Sequence, residues 1–372
     1  MLVTDAKYKT LLGRLKADIL NGKYASGAHF PSVRALERSY GIPRSTIGHA
    51  LDELAHQGLI SRKQGRGTFV TSQGASRQIG LIVPGVAVTD FYGPIVSEIN
   101  AAAHETGYTL HFAEVFSKDR AERIRQVREL VVEFVKKRFA GIIYEPLAGP
   151  SGDEANRRVL EVLDRAKIPV VLLDCDIVPF PSRSGHDVVG TNDVEAGAVM
   201  VRHLLGRGVR KFHFVMGAAI PITFENRLYG AMSAILAWGR NCKTVILRTD
   251  PADCTALKRH LRKYGRPDAF VCSNDLNAAV LNQTLNELGL SVPKDVLLAG
   301  FADLPVASLM TPKLTTIRQA RDQMGRMAFK RLLERMVDRD LPPNEILFPA
   351  TLVIRESTER KVKSKAKMKE KG

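Results

Sequence analysis

Arg44, Ser45 and Thr46 stand together at the head of a stretch with helical spacing, and His49 follows one turn on. A guanidinium, two short hydroxyls and an imidazole on one first turn can hydrogen-bond to the edges of base pairs. Arg34, earlier in the chain, is placed to touch a phosphate or a base edge, and Gln64, Gly65 and Arg66 form a basic, glycine-bearing tip. A second set of polar residues recurs where apolar runs end: Tyr144 and Glu145, Asp174 and Asp176, Asn192 and Asp193, Asn274 and Asp275, and Asp303. Carboxylates and amides accept from and donate to hydroxyl groups, while rings cover apolar faces, so this set suits a polyhydroxylated ligand. Arg227, early in a helical stretch, can add a bidentate donor. Capping stands as the alternative for Asp193 and Asp275, which each directly precede a helix.

The first set needs a rigid frame, and residues 30 to 70 supply one. A short helix starts at Ser32, a natural N-cap, and carries Val33, Leu36 and Tyr40 at spacings of three and four until Gly41 breaks it. A second helix runs from Arg44 to Gln57 with Ile47, Ala50, Leu51 and Leu54 on one face, and Gly58 stops it. LISRK and TFVTS then alternate as two strands around Gln64-Gly65-Arg66-Gly67. This order, with an amphipathic helix over residues 7 to 22 packed behind, is a winged helix-turn-helix. A helix of this kind fits the DNA major groove, and its first turn reaches the bases.

The stretch resembles the GntR-type winged helix. The resemblance rests on Phe30-Pro31-Ser32-Val33-Arg34, Gly41-Ile42-Pro43-Arg44-Ser45-Thr46, Ala50-Leu51-Asp52-Glu53-Leu54, Gly58-Leu59-Ile60 and Gly65-Arg66-Gly67-Thr68-Phe69-Val70. It implies DNA contacts at Arg34, Arg44, Ser45, Thr46 and the wing. Pro43 stands where that family has a capping serine, so the start of the second helix is expected to shift or fray. His49 stands where a larger basic residue is common.

The 372-residue chain has 55 Lys and Arg against 39 Asp and Glu, a formal charge of +16 that suits a polyanionic partner. A 45% hydrophobic content excludes a disordered chain. The four cysteines, Cys175, Cys242, Cys254 and Cys272, show no CxxC pair and no metal spacing, so they read as reduced thiols in a cytoplasmic protein. No signal peptide and no membrane span is expected, and no cofactor. Lysine recurs through residues 359–372, which read as a disordered basic tail or as extra non-specific DNA affinity.

The domain reading is 1–70 for the DNA-binding unit, 71–78 (through TSQGASRQ) for a flexible linker about which the two parts swivel, and 79–358 for the rest. After Ile79 the pattern alternates strand and helix. IGLIVP, TLHFAEVF, GIIYEP and PVVLLDCD read as one parallel set; DVVGTND, KFHFVMG, TVILR, AFVCS and VLLAGF read as a second. TTIRQ crosses back to a helix over 320–338, and TLVIRES closes the fold. The expected class is α/β: a winged helix-turn-helix N-terminal domain plus a two-lobed, doubly wound sensor, with ligands bound at the strand ends.

This second part resembles the LacI/GalR-type, periplasmic-binding-protein-like sensor. Gly190-Thr191-Asn192-Asp193, Arg227-Leu228-Tyr229-Gly230, Cys272-Ser273-Asn274-Asp275, Ala299-Gly300-Phe301-Ala302-Asp303, Leu314-Thr315-Thr316-Ile317 and Leu352-Val353-Ile354-Arg355-Glu356-Ser357 carry it. It implies effector contacts at Phe91 or Tyr92, Asp174, Arg227, Asn274 and the loop after 296–301. The family usually has an aspartate at the place of Ala302, where Asp303 can substitute. Together the parts point to a ligand-responsive transcription regulator, a homodimer that represses carbohydrate genes by gripping a double-stranded DNA operator and releasing or holding it with a sugar-like effector. A transport-type binding protein and a regulator answering a non-sugar metabolite are the alternatives. An enzyme is disfavoured, because no GxSxG, HExxH or GxxxxGK[ST] occurs and Gly206-Arg207-Gly208 lies between a helix and a strand in the wrong order for a dinucleotide site.

Overall fold

A computed structural model describes residues 2–20, 23–24, 28–63, 66–71, 77–84, 90–115, 117, 119–149, 154–216, 222–239 and 241–359, with backbone alone at 2–7 and 20. Most of the linker stretch, Gln64 and Gly65 of the wing, and the basic tail beyond Glu359 lie outside the described residues.

The first unit comprises helices α1 (Leu2–Leu20), α2 (Val33–Tyr40) and α3 (Arg44–His56) and strands β1 (Ile60–Lys63) and β2 (Gly67–Val70). Helix α1 starts before residue 7, so it is longer than its apolar spacing suggests. Ser32 caps α2 by accepting from Ala35 N at 3.3 Å, and Gly41 ends it at φ 62°, a left-handed conformation that favours glycine. Helix α3 starts at Arg44 without a side-chain cap, and the expected displacement is not seen. The Pro43 ring sets φ at −55°, and its carbonyl accepts from Ile47 N at 3.1 Å. Leu11, Leu15, Ile19, Leu36, Ile47, Leu51 and Leu54 close the core. The wing strands pair antiparallel from Ile60↔Val70 to Lys63↔Gly67.

The body alternates β3 (Gln78–Pro84), α4 (Tyr92–Glu105), β4 (Thr109–Val115), α5 (Arg120–Lys136), β5 (Gly141–Tyr144), α6 (Glu154–Arg165), β6 (Val170–Asp174), β7 (Asp187–Thr191) and α7 (Asp193–Gly206). It continues through β8 (Lys211–Met216), α8 (Ile222–Ala237), β9 (Lys243–Arg248), α9 (Cys254–Tyr264), β10 (Ala269–Cys272), α10 (Asp275–Glu287), β11 (Leu297–Ala299) and α11 (Pro305–Leu309). The chain ends on β12 (Thr316–Arg318), α12 (Arg321–Val337), β13 (Glu345–Phe348), β14 (Thr351–Val353) and a 3-10 turn at Glu356–Thr358.

Two parallel sheets result. One is ordered β13-β7-β6-β5-β3-β4 and the other β11-β10-β8-β9. Two assignments differ from the sequence reading. Strand β7, expected to open the second set, is the fifth parallel strand of the first sheet, where Asp174 lies opposite Gly190. Strand β13 is new, and it completes that sheet after α12 has returned to pack on α4. The antiparallel pair β12–β14 carries the return crossings. The chain therefore passes between the lobes three times, which leaves the strand ends of both sheets facing one cleft.

A buried arginine cluster locks the return. Arg331 and Arg335 both donate to Asp187 at the start of β7, at 2.9 and 2.8 Å. Helices α7 and α8 cross with almost no gap. A Cβ on Gly197 would lie 1.8 Å from Arg227 O, and one on Gly230 would lie 1.8 Å from Val194 O.

Candidate DNA-reading face and effector cavity

Most of the residues expected to read DNA are exposed. Arg34 of α2 and Arg44, Ser45 and His49 of α3 are exposed, as are Arg62, Lys63 and Arg66 of the wing. Thr46 differs: it is only 7% exposed, unlike its neighbours Arg44 and Ser45. Arg44 is not free in this state. Its Nε donates to Glu37 Oε2 of α2 at 2.6 Å, an exposed pair that base or phosphate contact would have to replace. Arg62 pairs likewise with Asp52. These pairs orient the arginines without burying them.

Between the lobes lies a cavity of about 260 Å³. Phe91, Tyr92, Asp174, Arg227 and Asn274, all expected from the sequence, line it. Glu145, Cys175, Thr223, Ser273, Ala302 and Gln319 line it as well. Tyr144, Asp275 and Asp303 are not among the described lining residues. Each is committed elsewhere. Tyr144 is fully buried and its hydroxyl donates to Asn156 Oδ1 at 2.5 Å. Asp275 accepts from Thr316 Oγ1 at 2.6 Å and from Leu304 N at 2.8 Å, which ties β12 to the loop after β11. Burial pushes its carboxyl up to about 7. Asp303 is clasped by Arg318 and Arg355, both at 2.7 Å, and so does not take the place of the aspartate missing at Ala302. That clasp holds Ala302 and Asp303 at φ 108° and 51°, unusual for residues with a Cβ, at the rim of the cavity.

The wall beneath the cavity is acidic. Glu145 follows β5 and Asp174 ends β6, and those strands are parallel neighbours with Tyr144 opposite Leu172. Asp174 takes φ 67° so that its side chain leaves the strand, and Gly190 makes room, since a Cβ there would lie 2.3 Å from Asp174 O. The Tyr92 hydroxyl donates to Glu145 Oε1. Burial, then the charge of Asp174, holds the Glu145 carboxyl well above the usual carboxylate range. Burial also raises Asp174, against the pull of Arg227. Arg227 is only 8% exposed and sits over the Phe301 ring, 4.8 Å from its centroid. Its Nε donates to Asp193 Oδ1 at 2.6 Å and its Nη1 to Ser273 O at 2.9 Å. Burial lifts the Asp193 carboxyl to about 7 even with this partner. Asp193 therefore serves the arginine rather than capping α7; Asn192 caps that helix by accepting from Glu195 N at 3.0 Å. Asn274 does both jobs, capping α10 through Asn277 N at 2.8 Å while lining the cavity.

Residues 7–70 match the profile of bacterial regulatory proteins of the gntR family, and residues 201–358 match a periplasmic binding protein-like domain. A gntR-type DNA-binding head precedes a periplasmic-binding-protein-like body. The chain is 26% identical to the arabinose metabolism transcriptional repressor of Geobacillus stearothermophilus, across 95% of this chain and 98% of that one. The crystal structure of the transcription regulator GntR from Chromobacterium violaceum superposes with a TM-score of 0.60 at 25% identity, covering 76% of this chain and 99% of that chain. The complex of the transcriptional regulator CelR with cellobiose shares the fold with a TM-score of 0.65 at 19% identity, covering 88% and 100%. The chain thus has the two-part build of those regulators.

The helices and wing strands of the gntR-type head were legible, yet several cavity residues were not. Gln319 and Thr223 carry no local signal, because only the crossing of the chain brings them to the cleft. Cys175 sits between Asp174 and Asp176, and its place beside two strand-end carboxylates could have marked it. The four cysteines are free, with Cys272 buried and the others half-buried. Among the described residues no helix is long and apolar enough to cross a membrane.

Proposed function

We propose that this chain is a ligand-responsive, sequence-specific repressor of carbohydrate-utilisation genes that acts in the cytoplasm as a homodimer on a double-stranded operator. One observation carries the reading: the same chain joins an exposed Arg34–Arg44–Ser45–His49 surface on a helix-turn-helix to a lined cavity between two lobes. Base edges are read from the first turn of α3, and phosphates are gripped by the wing. The cavity volume suits a ligand of one or two sugar rings, and the named relatives act on arabinose genes or bind cellobiose.

Coupling follows from the crossings. A ligand that contacts Glu145 and Asp174 on one lobe and Arg227 and Asn274 on the other favours the closed cleft. It shifts operator affinity only by its differential affinity for the two states. Exposed apolar side chains support pairing with a second copy: Phe112 on the edge strand β4, and Tyr229, Met232, Leu236 and Trp238 along and just after α8. The test is a titration of sugars against a protein–operator complex, with the operator selected from a random duplex library. A tenfold shift in half-saturation supports the reading. No shift with any sugar, or no enriched sequence, removes it.

A further inference from the structure

The charges around the cavity do not balance. Arg227 is the one cation among the described lining residues, and it is already engaged: it is ion-paired with Asp193 and donates to the Ser273 carbonyl. Two carboxylates remain. Glu145 is only 8% exposed and lines the cavity, and its Oε2 has no hydrogen-bond partner. Asp174 lines the cavity on the neighbouring strand, and its buried Oδ1 has no partner either. Two neutral groups beside them register the excess. Burial and then the Glu145 and Asp174 charges push the Tyr92 hydroxyl up, and the Cys175 thiol is raised by burial and then by Asp174, Glu145, Asp193 and Asp176.

We propose that the effector is a small polyol bearing a protonated primary amine, an amino sugar or amino polyol, whose ammonium is held by Glu145 Oε2 and Asp174 Oδ1. The inference rests on the reading of the cleft as an effector site and narrows its ligand class. An ammonium presents three donors and no acceptor, which matches two buried acceptors that lack donors. Its charge-assisted hydrogen bonds are about twice as strong as those of a hydroxyl. A neutral sugar leaves a buried acidic pair that must share a proton, and an acidic sugar adds a like charge where burial already disfavours one. Asn274, Ser273 and Gln319 remain for the hydroxyls, and Phe91 for the ring face.

Two matched sets test it with the full-length chain: D-glucose, D-glucosamine and D-glucuronate, and D-galactose, D-galactosamine and D-galacturonate. Binding is read by titration calorimetry and by the shift in unfolding temperature. An amino member should bind at least tenfold more tightly than its neutral match, and the acids should give no shift. Asp174→Asn and Glu145→Gln, each isosteric, should each bring that ratio within threefold, with circular dichroism reporting the fold. Neutral binding that equals or exceeds amine binding, or any acid binding best, overturns the proposal and leaves the effector reading standing. If no member of either set binds, the proposal falls, while the carbohydrate reading stands or falls on the wider titration of sugars against the operator complex.

Discussion

Arg227 and Asp193 form a buried ion pair between α8 and α7, with Nε donating to Oδ1 at 2.6 Å and side-chain exposures of 9% and 3%. The pair fixes the guanidinium at the cavity and occupies its Nε. Arg227→Met should leave Asp193 buried without a partner and cost on the order of 3 kcal/mol in chemical denaturation. Ligand-induced stabilisation should vanish in the same variant.

The close crossing of α7 and α8 makes a second demand. Gly197→Ala and Gly230→Ala each place a Cβ 1.8 Å from a carbonyl oxygen of the facing helix, so the helices must separate. Each should lose about 1–3 kcal/mol of stability and weaken ligand binding, because Arg227 rides on the displaced helix. Unfolding curves with and without ligand measure both effects.

A buried histidine pair predicts acid sensitivity. His213 Nδ1 lies 3.0 Å from His260 Nε2, and burial, then His260, then Lys211, lowers His213 to about 3. The folded value lies below the unfolded one of about 6.5, so the unfolded state takes up the proton first. This pair therefore contributes its full stability above pH 6.5 and loses it as pH falls toward 3. Asp193 and Asp275, both raised to about 7, act in the opposite sense, so the comparison must isolate the histidine. Going from pH 8 to pH 5.5 should cost the wild type more stability than it costs His213→Leu.

On the head, Arg44→Ala should reduce affinity for a selected operator by about 1–3 kcal/mol and relax base preference at one position per half-site. Glu37→Ala should act oppositely, since Arg44 then no longer leaves the 2.6 Å pair to reach DNA. Lys63→Ala should weaken all duplexes alike and lower the salt slope by roughly one. Fluorescence anisotropy across a salt series separates these outcomes.

The head was readable because its determinants are local. Ser32 caps, Gly41 takes a left-handed turn, and Ile47, Leu51 and Leu54 repeat at helical spacing. The sheet order of the body was less so. Strand β13 is four residues, Glu345–Phe348, enclosed by Pro342, Pro343 and Pro349, and only pairing with β7 far upstream makes it a strand. The same distance hid the fate of the polar strand ends. Asp303 meets Arg355 and Asp275 meets Thr316 across 52 and 41 residues of chain, pairings that local spacing cannot show. Spacing identified Asp174, Arg227 and Asn274 as residues of the cleft. It did not reveal that Arg227 is ion-paired with Asp193, since that depends on two glycines crossing.

The most direct test of the account is the operator affinity of the full-length chain with and without a bound effector, measured by anisotropy on a duplex selected by the protein itself. The account predicts an enriched, pseudo-palindromic sequence and at least a tenfold change in its half-saturation when an effector is added, with that change abolished in Arg227→Met. A selected sequence bound with the same affinity in the presence of every ligand that stabilises the body would contradict it.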